Sequence, residues 1–268
     1  MSLPGERINV SRISVCLLML ASVVLFAEPS LSPAGEHPDL DSKVKSIIHQ
    51  ACNTLEEEGV FTFRARITYD EVLESGTRLR YSGELQSALR RPDGLRTDFR
   101  GDLDNSSAWY DGHTFTLYDP ATGLYATTPA PGQIDTLLEM VHDSLGFSLP
   151  LADLYFSTPC SGFTANLEKG SYGGVERVGE ARAHRLDMSQ QDIDWQIWIE
   201  EGDQALPRKV SITYKMLPGS PQFTAVISDW DFSPMLAEDF FTFRPPDGSA
   251  RIGFIPERAG SDPSGAER

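Results

Sequence analysis

Positive charge is scarce in this chain: 23 Lys and Arg stand against 39 Asp and Glu, a formal net charge of −16 over 268 residues. So acidic a surface excludes a nucleic-acid role. It also opposes lasting attachment to anionic headgroups and leaves only transient membrane contact open. Cysteine is nearly absent, with three residues and no Cys-x-x-Cys pair, which removes zinc-ribbon and dithiol chemistry. Among His37, His49, His113, His142 and His184 no two share a metal-ligand spacing. His49 lies one helical turn from Cys52, but no further ligand follows nearby. A G-x-S-x-G elbow, a phosphate loop and an H-E-x-x-H helix are all missing. The strong local signals of catalysis are thus absent without excluding an enzyme, and the expectation is a non-enzyme without cofactor or metal.

Long apolar runs are equally rare. One extends from Ile13 to Ala27 behind Arg7 and Arg12, and it is shorter than the roughly 20 residues that span a bilayer. This reads as a signal peptide over residues 1–27, with an uncleaved anchor as the alternative. Cys16 sits near the start of the run, after Val15, which is the wrong place for lipid attachment. A Pro-rich spacer occupies 28–38, and the exported protein is expected in a periplasm. There Cys52 and Cys160 remain, in a compartment where disulfides form, and the sequence leaves both a Cys52–Cys160 bond and two buried thiols open.

What is abundant is alternation. In FTFRARITYD, Phe61, Phe63, Ala65, Ile67 and Tyr69 alternate with polar residues, so one face of this strand seeks an apolar interior. The period recurs in RLRYSGELQSAL, with Leu79, Tyr81, Leu85 and Leu89 on one face, and in GLRTDFR, DWQIWIE, RKVSITYK and QFTAVISDW. Further strands are expected near 107–110, 114–118, 123–127, 171–178, 181–189 and 240–243. A first helix is expected from Asp39 to before Gly59, with Leu40, Val44, Ile47, Ile48, Ala51 and Leu55 as its stripe. The period changes once, in the segment after Pro129. Ile134, Leu137, Leu138, Val141 and Leu145 form a helical stripe, and Phe147 and Leu154 continue it past Gly146 and Pro150. Trp198 falls on the polar face of its strand and needs a cover there. Asp192 and Asp194 read as solvated strand ends, and Asp111, His113 and Asp119 as turn residues.

About twelve strands with no internal linker fit one domain over 39–246, followed by a tail, 247–268, that is partly disordered. The expected fold is mainly β (α+β): a strongly curved antiparallel sheet forming an unclosed β-barrel, with an N-terminal helix and a helical lid. Its concave face is assigned to Phe63, Ile67, Leu79, Tyr81, Leu85, Phe99, Phe115, Leu117, Trp195, Ile197 and Ile212. The lid is assigned to Ile134, Leu137, Leu138, Val141, Leu145, Phe147 and Leu154.

The run from YDGHTFTLYDP through LADLYFS, followed by DWQIWIE, LPRKVSITYK, GSPQFTAVISDWDFSP and FTFRPP, resembles an uncharacterised family of predicted periplasmic proteins over about residues 45–255. That family is similar in architecture to the outer-membrane lipoprotein carriers and receptors of the LolA and LolB type. The resemblance implies an unclosed barrel with a helical lid over an apolar cavity, and a lipid or acylated lipoprotein as partner. It places no individual binding residue. Two rivals stand beside a carrier: a sensor or scaffold with a filled core that binds an envelope protein, and a hydrolase acting on lipid or glycan.

Overall fold

The structure is a computed structural model and describes residues 39–164 and 166–254. The signal peptide, the spacer and the last residues of the tail lie outside the described residues. One 13-stranded sheet runs β1 (Asp39–Leu40), β8 (Lys169–Val178), β9 (Ala181–Ser189), β10 (Ile193–Glu200), β11 (Pro207–Tyr214), β12 (Gln222–Asp231), β2 (Val60–Val72), β3 (Arg78–Arg90), β4 (Gly94–Gly101), β5 (Asn105–Tyr110), β6 (Thr114–Asp119), β7 (Leu124–Pro129) and β13 (Ala250–Ile252), in that spatial order. All neighbours are antiparallel except the short edge strands, since β1 pairs parallel with β8 and β13 parallel with β7. The edges do not meet, so the barrel is unclosed. Bulges at Trp198/Ile199, Ser228/Asp231 and Tyr172/Gly174 add twist where so long a sheet must curl.

Four helical elements follow the apolar stripes. α1 (Ser42–Glu57) starts behind Asp41, whose side chain accepts from Lys43 N at 2.8 Å, and buries Val44, Ile47, Ile48, Ala51, Cys52 and Leu55. α2 (Ile134–Leu145) ends at Gly146, which takes a left-handed conformation (φ 76°) and donates to His142 O. A 3-10 turn (Ala152–Leu154) and α3 (Pro159–Thr164) complete the cover.

Three expectations are corrected. α1 does not begin at Asp39, because Asp39 and Leu40 pair with Lys169 and Gly170; a Cβ on Gly170 would lie 2.3 Å from the Leu40 side chain, so glycine there admits Leu40. Residues 240–243 alternate like a strand but form turns, with Phe240 N donating to Ala237 O and Thr242 N to Asp239 O. Their rings lie on the outer face of the sheet: Phe241 sits over Gly94, and Phe243 contacts Trp109, Tyr118 and Tyr125. Period two arises here because Phe241 and Phe243 each pack on the outer face, without strand pairing. Strand β13 lies in the stretch read as tail.

Elsewhere the outer face is polar and self-paired, as in Arg96–Asp98 at 3.0 Å and Arg208–Glu200 at 2.6 Å. Trp198 finds its cover there, donating Nε1 to Glu176 at 2.7 Å beneath Lys209, whose Nζ is 4.0 Å from the ring centroid. Asp194 pairs with Lys215 at 3.0 Å, and Asp111 accepts from the backbone N–H groups of His113 and Thr114, so these residues serve the fold.

Candidate functional site

Strand register sets the concave face as ordered rows. Trp195, Ile212, Phe223, Tyr69 and Tyr81 stand side by side across five strands. The next row is Ile197, Val210, Ala225, Ile67 and Gly83. Ala65, Leu85 and Phe99 follow, then Phe63, Ser87, Thr97, Ala108 and Leu117, then Phe61, Leu89, Leu95, Tyr110 and Phe115. Ten of the eleven residues assigned to the concave face therefore lie on these rows. Leu79 is half-buried near the β2–β3 turn, away from the main cluster.

Side-chain size varies between rows. Phe99 spreads over Gly83, where a Cβ would come within 2.3 Å of its ring, so glycine admits the ring there. In the fourth row Ser87, Thr97 and Ala108 leave a shallow trough beside Phe63. Tyr155 of the cover is fully buried against it: its ring stacks on Phe63 at 6.1 Å and its phenol lies near Ser87 and donates to Pro150 O at 3.0 Å. The lid residues Ile134, Leu137, Leu138, Val141, Phe147 and Leu154 are buried in the same cluster, with Leu145 at its margin. The chain's own cover thus occupies the concave face.

Polar contacts fasten this cover at one junction, the β3–β4 turn. Arg91 donates to Leu55 O at 3.0 Å and Glu58 O at 2.6 Å at the end of α1, and to Phe156 O in the cover at 2.8 Å. Burial pushes its pKa below the ordinary guanidinium value, although Asp135 and Glu56 act in the opposite direction. Ile134 N donates to Pro92 O, and Asp135 accepts from Ser157 N at 2.9 Å, closing the cover on itself. Cys52 of α1 is bonded to Cys160 of α3, with Cα atoms 5.3 Å apart. One end of the cover is covalently fixed, and α2 is held by noncovalent contacts. Between them lie two left-handed residues, Gly146 (φ 76°) and Leu151 (φ 58°), the second a conformation that a branched side chain rarely adopts.

Asp153, in the 3-10 turn, has a desolvated carboxyl, and this burial raises its pKa to about 7. Because the folded protein holds this proton while the unfolded chain releases it near pH 4, the site penalises folding increasingly as pH rises to 7 and fully above it. Asp153→Asn is therefore expected to match wild type near pH 4 and to exceed it above pH 7, by up to about 4 kcal/mol. Urea unfolding of both proteins at pH 4.5 and pH 8 checks this; a stability gap that does not grow with pH contradicts it.

Among the described residues no group of three or more His, Cys, Asp or Glu could hold a metal ion. No helix among them is long and apolar enough to cross a membrane. Sequence reasoning missed Arg91, Tyr155 and Asp153, because each acts through long-range contacts that leave no periodic signal.

The family model described as "Predicted periplasmic protein (DUF2092)" matches residues 44–255, and the chain belongs to that family. No curated protein matches it. Among solved structures, the chain is similar to an uncharacterized conserved protein from Thermus thermophilus, at 13% identity and TM-score 0.45, covering 79% of this chain and 99% of that one. It is also similar to the Mycobacterium tuberculosis lipoprotein LppX, at 10% identity and TM-score 0.43, covering 71% and 95%. A LolA superfamily protein from Nitrosomonas europaea matches at 11% identity and TM-score 0.33, covering 74% and 97%. No residue role is transferred from any of them.

Proposed function

We propose that this member of a predicted periplasmic family is a non-enzymatic carrier or receptor that holds the acyl chains of a lipid or lipoprotein on the concave face, in the place its own cover fills when empty. The observation that carries this reading is the asymmetric fastening of the cover. α3 is bonded covalently to α1, while α2 is docked through apolar contacts and a few hydrogen bonds, and the left-handed residues Gly146 and Leu151 that link α2 to the fixed end can serve as hinges. Swinging α2 outward about these residues would uncover the part of the concave face beneath it without unfolding the sheet.

The apolar gain on the ligand side is of the order needed for such an exchange. An acyl chain of about sixteen carbons gains roughly 12 kcal/mol on burial at about 0.8 kcal/mol per CH2, before the costs of binding and of displacing the cover. No charged anchor is needed for that gain. Release follows when the cover returns to its own apolar contacts.

A second reading, a scaffold that binds an envelope protein and keeps its core filled, draws on one observation. Leu73, Met216 and Leu217 are exposed at neighbouring hairpin tips, where Arg78 also donates to Gly219 O. Leu138→Asp separates the readings. In a carrier, the variant folds with the cover displaced and its acyl-probe uptake is altered; in a filled scaffold, burying aspartate at a position only 4% exposed prevents folding. Circular dichroism and fluorescent fatty-acid titration on the same sample give the answer.

A further inference from the structure

One corner of the interior is chemically unlike the rest. β10 and β11 pair Ile193 with Tyr214 and Trp195 with Ile212, which sets Trp195 and Tyr214 diagonally beside each other on the concave face. Both are more than nine-tenths buried, at 6% and 7% exposure. Neither Trp195 Nε1 nor the Tyr214 hydroxyl has a hydrogen-bond partner among the described residues.

Several comparable groups elsewhere are satisfied. Trp230 Nε1 donates to Pro207 O at 3.1 Å, Tyr155 to Pro150 O, Tyr110 to Pro131 O and Trp198 to Glu176. Two unpaired donors in one corner are unfavourable in the empty protein and call for an acceptor that the chain does not supply. The roof of the corner is the fixed half of the cover. Phe163 of α3 packs on Trp195 with ring centroids 6.4 Å apart. Its neighbour Gly162 abuts Asp153, since a Cβ there would lie 3.4 Å from a carboxyl oxygen. Asp153 in turn acts electrostatically on the Tyr214 phenol, whose pKa is raised chiefly by burial.

We infer that the Trp195–Tyr214 corner is a polar subsite for the carbonyl oxygen of an acyl ester or amide, the group at which an acyl chain joins its head. The inference rests on the chamber reading above. The N–H and O–H donors belong to diagonal neighbours on one face, and there an alkane offers nothing while an ester offers an acceptor. Because the corner lies under the disulfide-fixed α3, it keeps its shape while α2 moves, and the carbonyl sets the register in which the chain lies along the rows.

The test compares monolauroylglycerol with dodecylglycerol ether, which differ in the carbonyl alone, as competitors of N-phenylnaphthylamine bound to the mature protein. The ester is expected to bind about tenfold more tightly, equivalent to about 1.4 kcal/mol. Tyr214→Phe and Trp195→Phe should each shrink that preference, and the double variant should abolish it. Equal affinities in the wild type, or a preference that survives in the double variant, overturn the subsite and leave the chamber standing. If neither lipid displaces the probe, the chamber reading fails and the subsite with it. Tyr214→Phe alone should unfold at the same urea concentration as wild type or higher, since it removes an unpaired hydroxyl; a clear fall would show that the hydroxyl has a partner and overturn the inference.

Discussion

Replacing Arg91 by alanine is expected to destabilise the protein by about 3 kcal/mol and to accelerate acyl-probe loading. The guanidinium spans three carbonyls from two elements, Leu55 and Glu58 at the end of α1 and Phe156 in the cover. Truncation strips those acceptors of their donor in a site that burial already makes dry enough to depress the arginine pKa. Lysine should restore little, because a single ammonium cannot reach three acceptors in fixed directions. Denaturant unfolding gives the stability and stopped-flow fluorescence the loading rate. A stability loss without faster loading would make Arg91 a purely structural tie. Faster loading at both Ala and Lys variants would mark it as the fastener of the cover.

Removing the Cys52–Cys160 bond is expected to cost about 2–5 kcal/mol, toward the upper end because the bond closes a long loop. The two cysteines are 108 residues apart in sequence, and the loop between them contains β2 to β7, α2 and the 3-10 turn. The functional consequence differs from that of Arg91. With the bond present, α3 keeps its place while α2 opens. With both cysteines changed to serine, the whole cover is free, so the ester preference at the Trp195–Tyr214 corner should weaken along with stability. Urea unfolding with and without dithiothreitol measures the first effect, and an unchanged midpoint after reduction would contradict it.

Much of this fold was legible in the sequence because sheet pairing leaves a period of two and helices one of 3.6. The eleven long strands from β2 to β12 and the cover helix α2 were all visible in this way. Where two physical causes write the same pattern, the reading failed. Phe241 and Phe243 alternate because one ring covers Gly94 and the other fills a space among Trp109, Tyr118 and Tyr125. Leu40 fitted the helical stripe of α1, yet its partner is Gly170, far along the chain. The candidate site was readable as a list of apolar residues but not as a device. Nothing local to Arg91 announces that its guanidinium meets α1 and the cover, and nothing local to Ser87, Thr97 and Ala108 announces that three strands bring them together beneath Tyr155. Disulfide pairing was open for the same reason, since two cysteines in a chain carry no information on proximity.

The central claim is that the concave face exchanges its own cover for acyl chains. Native mass spectrometry of the mature protein isolated from the periplasm, followed by solvent extraction and lipid identification, tests it most directly. The account predicts a stoichiometric adduct that extracts as an acyl ester or amide. A clean apo mass, from protein that also refuses loading with monolauroylglycerol, would contradict it and leave the filled scaffold as the function of this fold.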